Sequence, residues 1–120
     1  MKHPSNWFNS LLYACNGLRL ATKERNVRFH LIASVTVIVS SSFLSLTAIE
    51  WAFIMSAIAL VLITEFMNTA IECICDLITT KYSIHIKQIK DIAAAAVIIS
   101  TLYALIIAVL ILSPKILFYI

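Results

Sequence analysis

An acidic stretch lies at the end of the second long apolar run of the sequence, between residues 65 and 76. At about 100° of rotation per residue, four polar side chains share a narrow sector of one helix face. We call these four residues the acidic stripe: Glu65, Asn68, Glu72 and Asp76. Carboxylates of this kind accept protons and bind hard metal ions. Because charge inside an apolar helix is costly, the stripe predicts a functional site.

Glu65 is the member of the stripe that an ordinary helix end explains least well. A polar residue at the end of an apolar helix can reach lipid headgroups or water, and Asp76 alone would fit that description. Glu65 lies six residues before Ile71, which is about 9 Å of helix. A glutamate is too short to span this distance, and exposing it to lipid costs about 2.5–3.5 kcal/mol. We therefore predict that Glu65 faces a protein-lined cavity and accepts a proton from a lipid hydroxyl.

Further charged residues are expected on the cytoplasmic side, at about the same depth in the membrane as Glu72. Glu24 precedes the first apolar run, and Lys90-Asp91 precedes the third. Mg²⁺ commonly takes one or two carboxylates together with phosphate oxygens, so Glu24 and Glu72 are candidate ligands. Lys90 would then neutralise a phosphate as a point charge. An ion pair of Lys90 with Asp76 or Glu72 is the alternative explanation.

The elements that must position these residues are apolar helices. The chain has 120 residues, of which 62% are hydrophobic. Apolar segments cover about 29–46, 51–71 and 92–112, each near the roughly 20 residues that cross a bilayer. The second helix is expected to extend to about 78, and Pro114 to end the third. Because the first and third segments show only scattered Ser and Thr, the sequence predicts an all-α membrane protein with three transmembrane helices rather than a soluble bundle.

The residues before the first apolar segment are predicted to form a surface helix. From about 7 to 25, apolar residues recur every three or four positions, which is typical of an amphipathic helix at the headgroup level. A weakly ordered tail is the alternative. The segment 79–91 is predicted to be a polar loop.

The basic residues predict how the chain is oriented. They precede the first segment or lie between the second and third, with Lys115 the exception: Lys2, Arg19, Lys23, Arg25, Arg28, Lys81, Lys87 and Lys90. The positive-inside rule then places the N-terminus and the 79–91 segment in the cytoplasm. A net charge of +3 is explained by this topology and by anionic headgroups, so no nucleic acid partner is expected. With Gly17 as the single glycine, no Gly-rich phosphate loop can form.

The order of these residues resembles that of the prokaryotic diacylglycerol kinase and undecaprenol kinase family. The resemblance rests on Glu65-x-x-Asn68-Thr69-Ala70-Ile71-Glu72-x-x-x-Asp76, followed by Lys90-Asp91 and an alanine run ending in Val97. It covers nearly the whole chain as a single domain. It implies a surface helix and three spans, a homotrimer in a bacterial cell membrane, and active sites shared between subunits near the cytoplasmic face. It also implies transfer of the γ-phosphate of MgATP to a lipid hydroxyl.

The resemblance also implies roles for individual residues. Glu65 would be the base, Asn68 a residue that positions the substrate, and Glu24 and Glu72 the ligands of Mg²⁺. The nucleotide would contact the same two glutamates and six further residues: Asp76, Lys81, Tyr82, Ser83, Lys90 and Asp91.

Alternatives remain at this stage for both the lipid and the class of protein. Glu24-Arg25-Asn26 with His30, and Ile49-Glu50-Trp51, resemble the Gram-positive branch, so undecaprenol is preferred over diacylglycerol as the substrate. A small proton-coupled transporter would use Glu65 inside an oligomeric pore. A non-catalytic subunit would pair its acidic stripe with a partner helix.

Overall fold

A computed structural model describes residues 7–120, which form four α-helices joined by short connections. The helices are α1 (Trp7–Ala21), α2 (Arg25–Ser42), α3 (Ala48–Ile78) and α4 (Ile84–Tyr119). No strand occurs in this part of the chain, so the prediction of an all-α protein is confirmed. Lys2, which contributed to the predicted orientation, lies outside the described residues.

Helices α3 and α4 form a long antiparallel hairpin that contains most of the buried residues. Ile54 and Ala57 of α3 and Ile107 of α4 form its apolar centre. Nearer the acidic stripe, the hydroxyls of Thr64 and Ser100 are 2.7 Å apart and link the two helices. Small side chains let the helices approach closely, and each of the two hydroxyls also donates to a backbone carbonyl of its own helix.

Helix α2 packs against α3 and connects to it through a tight turn. Ser45 in this turn has a φ of 54°, a left-handed conformation that is uncommon for a residue other than glycine. Two sets of hydrogen bonds stabilise the turn. Lys115 Nζ donates a hydrogen bond to the Ser45 carbonyl at 3.3 Å, and Thr47 begins α3 with a reciprocal capping box to Glu50.

Two helices of the described chain, α3 and α4, are long and apolar enough to cross a membrane. Within the most apolar 18-residue stretch of each helix, only 22% of α3 and 11% of α4 is buried inside the structure. Most of this apolar surface therefore faces outward. Helix α2 does not meet the same criterion, because its 18 residues begin with Arg25 and Arg28 and end in serines. At 1.5 Å per residue it is about 27 Å long, close to the thickness of a hydrocarbon core.

The first two helices differ in length from the predicted segments. Helix α1 ends at Ala21 rather than at about 25, and α2 begins at Arg25 and ends at Ser42 rather than at about 46. The physical cause at the first boundary is Arg28. Its Nη1 donates hydrogen bonds to the carbonyls of Thr22 at 3.1 Å and Lys23 at 2.7 Å, so these groups are satisfied without a continuous helix.

The predicted loop over 79–91 is wrong. Helix α4 begins at Ile84, and the connection from α3 is five residues long, from 79 to 83. Ser83 caps α4, with its side chain accepting from the Ile86 amide at 3.5 Å. Lys87 and Asp91 form an i,i+4 ion pair of 2.6 Å along the first turns, a spacing that supports a helix.

The prediction that Pro114 ends the last helix is also wrong, because α4 continues to Tyr119. Proline removes one backbone hydrogen bond within a helix and disfavours its continuation. Here the next residue, Lys115, reaches the turn before α3, where it contacts the Ser45 carbonyl at 3.3 Å and Glu50 at 3.1 Å. These contacts stabilise the helical turn that contains the proline.

Candidate active site

The acidic stripe runs from the buried middle of α3 to its exposed C-terminal end. Glu65 and Asn68 are buried, Glu72 is half-buried and Asp76 is exposed. The eleven residue-to-residue steps from Glu65 to Asp76 span about 16 Å of helix. The stripe therefore connects a closed environment, into which a lipid could extend from the bilayer, with a surface that water-soluble ligands can reach.

Glu65 faces His30 of α2. The distance from Glu65 Oε2 to His30 Nε2 is 3.7 Å, and the two side chains are 4% and 17% exposed. This distance is within the range of an ion pair but too long for a direct hydrogen bond. Glu72 and Glu24 also lie within electrostatic range of Glu65. Glu65 is thus a nearly buried carboxylate with one loosely placed histidine neighbour.

Asn68 and Glu72 are joined by a hydrogen bond on the next turn of α3. Asn68 Nδ2 donates to Glu72 Oε1 at 3.0 Å. Asn68 Oδ1 is buried and has no hydrogen-bond partner in the described structure. Since a buried acceptor without a donor is unfavourable, this oxygen is suited to a donor supplied by a ligand.

Two lysines in the first turns of α4, Lys87 and Lys90, each form an ion pair with an aspartate. Lys90 Nζ donates to Asp76 Oδ1 at 2.9 Å, which is one of the two pairings expected from the sequence. Asp91 pairs with Lys87 at 2.6 Å. Lys90 and Asp76 therefore lie together at the exposed end of the stripe, whereas Asp91 is paired with Lys87 along α4. A phosphate that binds here would replace the Asp76 carboxylate as the partner of the Lys90 ammonium group.

Glu24 lies across a cleft from α3. The residue caps the N-terminus of α2 by its backbone alone, because its side chain makes no capping hydrogen bond. A cleft of about 780 Å³ separates the end of α1 from α3. It is lined by Gly17, Ala21, Lys23, Glu24, Phe66, Thr69, Ala70 and Cys73, among others.

Glu24 and Glu72 are of the chemical type that binds a magnesium ion shared with a phosphate. No group of three or more His, Cys, Asp or Glu residues within 7–120 is arranged to hold a metal. Glu24 and Glu72 provide two carboxylates, and Glu24 is exposed. Mg²⁺ characteristically takes one or two carboxylates and completes its shell with phosphate oxygens and water. The residues present therefore suit a metal that arrives with a nucleotide.

The remaining predicted nucleotide contacts form the connection between α3 and α4. Lys81 donates its backbone amide to Thr79 Oγ1 at 3.0 Å. Tyr82 is 81% exposed, and Ser83 caps α4. These three residues follow the exposed end of the stripe in sequence; Lys81 and Tyr82 are exposed, and Ser83 is half-buried.

Comparison with known sequences identifies the family of this chain. The sequence model of the prokaryotic diacylglycerol kinase family matches residues 12–112. The chain belongs to that family. It is therefore a lipid kinase, and the alternatives of a transporter and a non-catalytic subunit are rejected.

Individual relatives in this lipid kinase family differ in the substrate that they are named for. The undecaprenol kinase of Bacillus subtilis is 38% identical over 92% of this chain and 91% of its own length. The diacylglycerol kinase of Synechocystis is also 38% identical, over 93% of this chain and 65% of its own length. The diacylglycerol kinase of Escherichia coli K12 is 34% identical over 78% of both chains.

His30 is a residue of this kinase to which sequence reasoning assigned no chemistry. In the sequence, His30 is only part of the pattern that resembles the Gram-positive branch. Its neighbour Glu65 is 35 positions away and lies on another helix. Helical periodicity relates residues on one helix and gives no information on contacts between helices. A histidine at the start of an apolar segment, at the depth of an intramembrane carboxylate, is the signal that would have identified it.

Proposed function

We propose that this lipid kinase transfers the γ-phosphate of MgATP to undecaprenol and forms undecaprenyl phosphate. The observation that carries the proposal is Glu65: a nearly buried carboxylate on an apolar helix, followed on the same face by polar groups that reach the surface. An enzyme that joins a lipid hydroxyl to a soluble triphosphate needs this combination. The lipid approaches from the apolar side and the nucleotide from the polar end.

Glu65 acts as the general base of the reaction. Its carboxylate accepts the proton of the lipid hydroxyl while the hydroxyl oxygen attacks the γ-phosphorus and ADP leaves. General-base assistance of this kind contributes about 10²–10⁴-fold to a rate. Asn68 positions the substrate, because its Nδ2 amide has a second hydrogen besides the one donated to Glu72, and this hydrogen donates to the lipid hydroxyl oxygen.

The nucleotide binds at the exposed end of the acidic stripe, next to Glu72 and Asp76. Glu24 and Glu72 would hold Mg²⁺, which would neutralise charge on the triphosphate. Lys90 leaves Asp76 and pairs with a phosphate oxygen. Both side chains are substantially exposed, at 39% and 65%, and such ion pairs are weak enough to exchange partners. Positioning and charge neutralisation are the main requirements of phosphoryl transfer.

Undecaprenol is favoured over diacylglycerol because the relative named for undecaprenol aligns with this chain over the larger share of its own length. The Bacillus subtilis relative, named for undecaprenol, aligns over 91% of its own length. Diacylglycerol is the second candidate because several relatives are named for it, including that of Escherichia coli K12 at 34% identity. Both lipids present a hydroxyl at the membrane surface, so the same catalytic groups serve either one.

The assembly in this proposal is a homotrimer in the bacterial cell membrane, with active sites shared between subunits. Helices α2, α3 and α4 span the membrane, α1 lies on its surface, and the N-terminus and the α3–α4 connection are cytoplasmic. Light scattering of the detergent-solubilised protein measures the number of subunits. Shared sites predict that a mixture of Glu65→Gln and Lys90→Ala subunits, assayed below the raised KM for ATP of Lys90→Ala, is more active than the average of the two variants measured separately.

Orientation is measured by labelling single cysteines in a chain whose native cysteines are replaced. A cysteine at Thr80, in the α3–α4 connection, should react with an impermeant maleimide in inside-out vesicles. A cysteine at Leu46, in the α2–α3 turn, should react in right-side-out vesicles. The reverse pattern contradicts the proposed topology.

The test of the function is a phosphorylation assay on the purified chain with radiolabelled ATP. Undecaprenol and diacylglycerol are offered separately and in competition in mixed micelles. Preferential labelling of undecaprenol supports the proposal, and preferential labelling of diacylglycerol makes the second candidate correct. Labelling of neither lipid, in protein with the helical content of the folded state, contradicts both.

A further inference from the structure

The proton accepted by Glu65 must leave a site that is nearly closed to water. Only 4% of the Glu65 side chain is exposed in the described structure. If Glu65 is the base of the proposed function, each transfer leaves one proton on its carboxylate. The carboxylate must lose that proton before it can act again, so the group next to Glu65 affects the rate of every turnover after the first.

His30 is placed to receive this proton. Its Nε2 is 3.7 Å from Glu65 Oε2, and its side chain is 17% exposed, so it is the more accessible of the two. A movement of about 0.7 Å would bring the two atoms to hydrogen-bonding distance. The ring contacts the edge of Phe29, with centroids 5.5 Å apart, and the His30 carbonyl accepts a hydrogen bond from Ser34 Oγ at 2.6 Å.

The other charged neighbours of Glu65 are less suited to this task. Glu72 and Glu24 lie within electrostatic range of it, but both are carboxylates that we assign to the metal. Histidine is the side chain that ordinarily gains and loses a proton near neutral pH. His30 therefore combines the right chemistry with a position 3.7 Å from Glu65 and with the greater exposure of the two side chains.

We propose that His30 is a proton relay that restores the Glu65 carboxylate after each phosphoryl transfer. This inference rests on the proposed function. In the transfer, the lipid oxygen bonds to the γ-phosphorus, the bond from that phosphorus to the bridging oxygen of ADP breaks, and the hydroxyl proton moves to Glu65. Protonated Glu65 then gives the proton to the unprotonated Nε2 of His30. The imidazolium releases it to water, and both side chains return to their starting state.

The test compares the first turnover with later ones in a His30→Gln variant. Glutamine keeps a polar side chain at this position but cannot carry a proton between Glu65 and water. The matched control is His85→Gln, the same change at an exposed histidine on the first turn of α4. Rapid-quench measurements with saturating MgATP and lipid use a bulky zwitterionic buffer, which enters the site poorly.

The relay predicts a burst in His30→Gln. One lipid per active site is phosphorylated at close to the wild-type rate, and later turnovers are roughly tenfold slower, at the lower end of general acid–base effects. The KM values for ATP and lipid remain unchanged, and His85→Gln resembles the wild type in all phases. Equal slowing of the first and later turnovers overturns the relay, because a residue that only shapes the site affects both.

A second variant gives an independent test. In His30→Ala, added imidazole should accelerate the later turnovers in proportion to its concentration while leaving the first turnover and Glu65→Gln unaffected. No response to imidazole in protein with wild-type helical content overturns the relay. If the wild type phosphorylates lipid and His30→Gln turns over normally, the relay alone fails. If the wild type phosphorylates no lipid, the proposed function fails.

Discussion

Two glutamates on α3, Glu50 in its first turn and Glu65 in its buried middle, show how the same side chain serves different purposes at two positions of one helix. Glu50 Oε1 accepts the Thr47 amide at 2.9 Å and lies 3.1 Å from Lys115 Nζ. Glu65 lies 3.7 Å from one histidine. Glu50 is occupied by close donors and is partly exposed, whereas Glu65 is nearly buried and has room for another donor. The comparison separates a carboxylate that holds the fold together from one that is available for chemistry.

Matched substitutions of these two glutamates should give the largest difference. Glu65→Gln removes the proton acceptor and is expected to lower kcat at least about 100-fold. Glu50→Gln retains a residue that completes a capping box and should change kcat by less than about twofold. Steady-state lipid phosphorylation measures both. A comparable loss of kcat in the two variants would show that both carboxylates serve only the fold.

Glu72→Gln should change the response to magnesium. Removing one of two carboxylate ligands is expected to raise the Mg²⁺ concentration at half-maximal rate about tenfold, with much of the maximal rate recovered at high Mg²⁺. Glu50→Gln serves as the control and should leave the titration unchanged. Identical titrations for Glu72→Gln and the wild type would limit Glu72 to its hydrogen bond with Asn68.

Substitution of Lys90 should mainly affect the nucleotide. Lys90→Ala removes the cation near Asp76 and is expected to raise the KM for ATP about fivefold to tenfold, the loss of roughly 1 kcal/mol of phosphate binding. Lys115→Ala is the matched change at the opposite end of α4 and should leave this KM unaltered. Equal KM values for all three proteins would mean that Lys90 serves only the ion pair with Asp76.

The smallest effect concerns the capping box at the start of α3. Thr47→Ala removes the side-chain acceptor of the Glu50 amide, 3.2 Å away, and should lower the free energy of unfolding by about 1 kcal/mol. Thermal unfolding in detergent, followed by circular dichroism, should show a modestly lower Tm with unchanged lipid kinase activity. A loss of activity without a change in Tm would contradict a purely structural role for this end of the hairpin.

The sequence was most informative where one helix carried the whole pattern. The angular spacing of Glu65, Asn68 and Glu72 depends on helical geometry alone, and the structure brings all three to the same side of α3, with two of them joined by a hydrogen bond. The pairing of Lys90 with Asp76 was also among the expectations, because two short polar segments flank one connection.

Predictions were weaker where a boundary or a partner depends on tertiary contacts. Pro114 is a helix-ending signal, yet Lys115 contacts Glu50 and the Ser45 carbonyl and α4 continues. Arg28 caps carbonyls across a turn five and six residues away, which no periodicity reveals. His30 faces Glu65 because α2 packs on α3, so its identification required the structure.

The measurement that tests the central role of Glu65 most directly is one turnover of Glu65→Gln loaded with MgATP. Nucleotide binding is measured by equilibrium titration, and transfer to undecaprenol or diacylglycerol by rapid quench. The account predicts binding within about twofold of the wild type and a first turnover slowed at least about 100-fold. A first turnover at the wild-type rate would contradict it, because phosphate transfer would then proceed without a proton acceptor at this position.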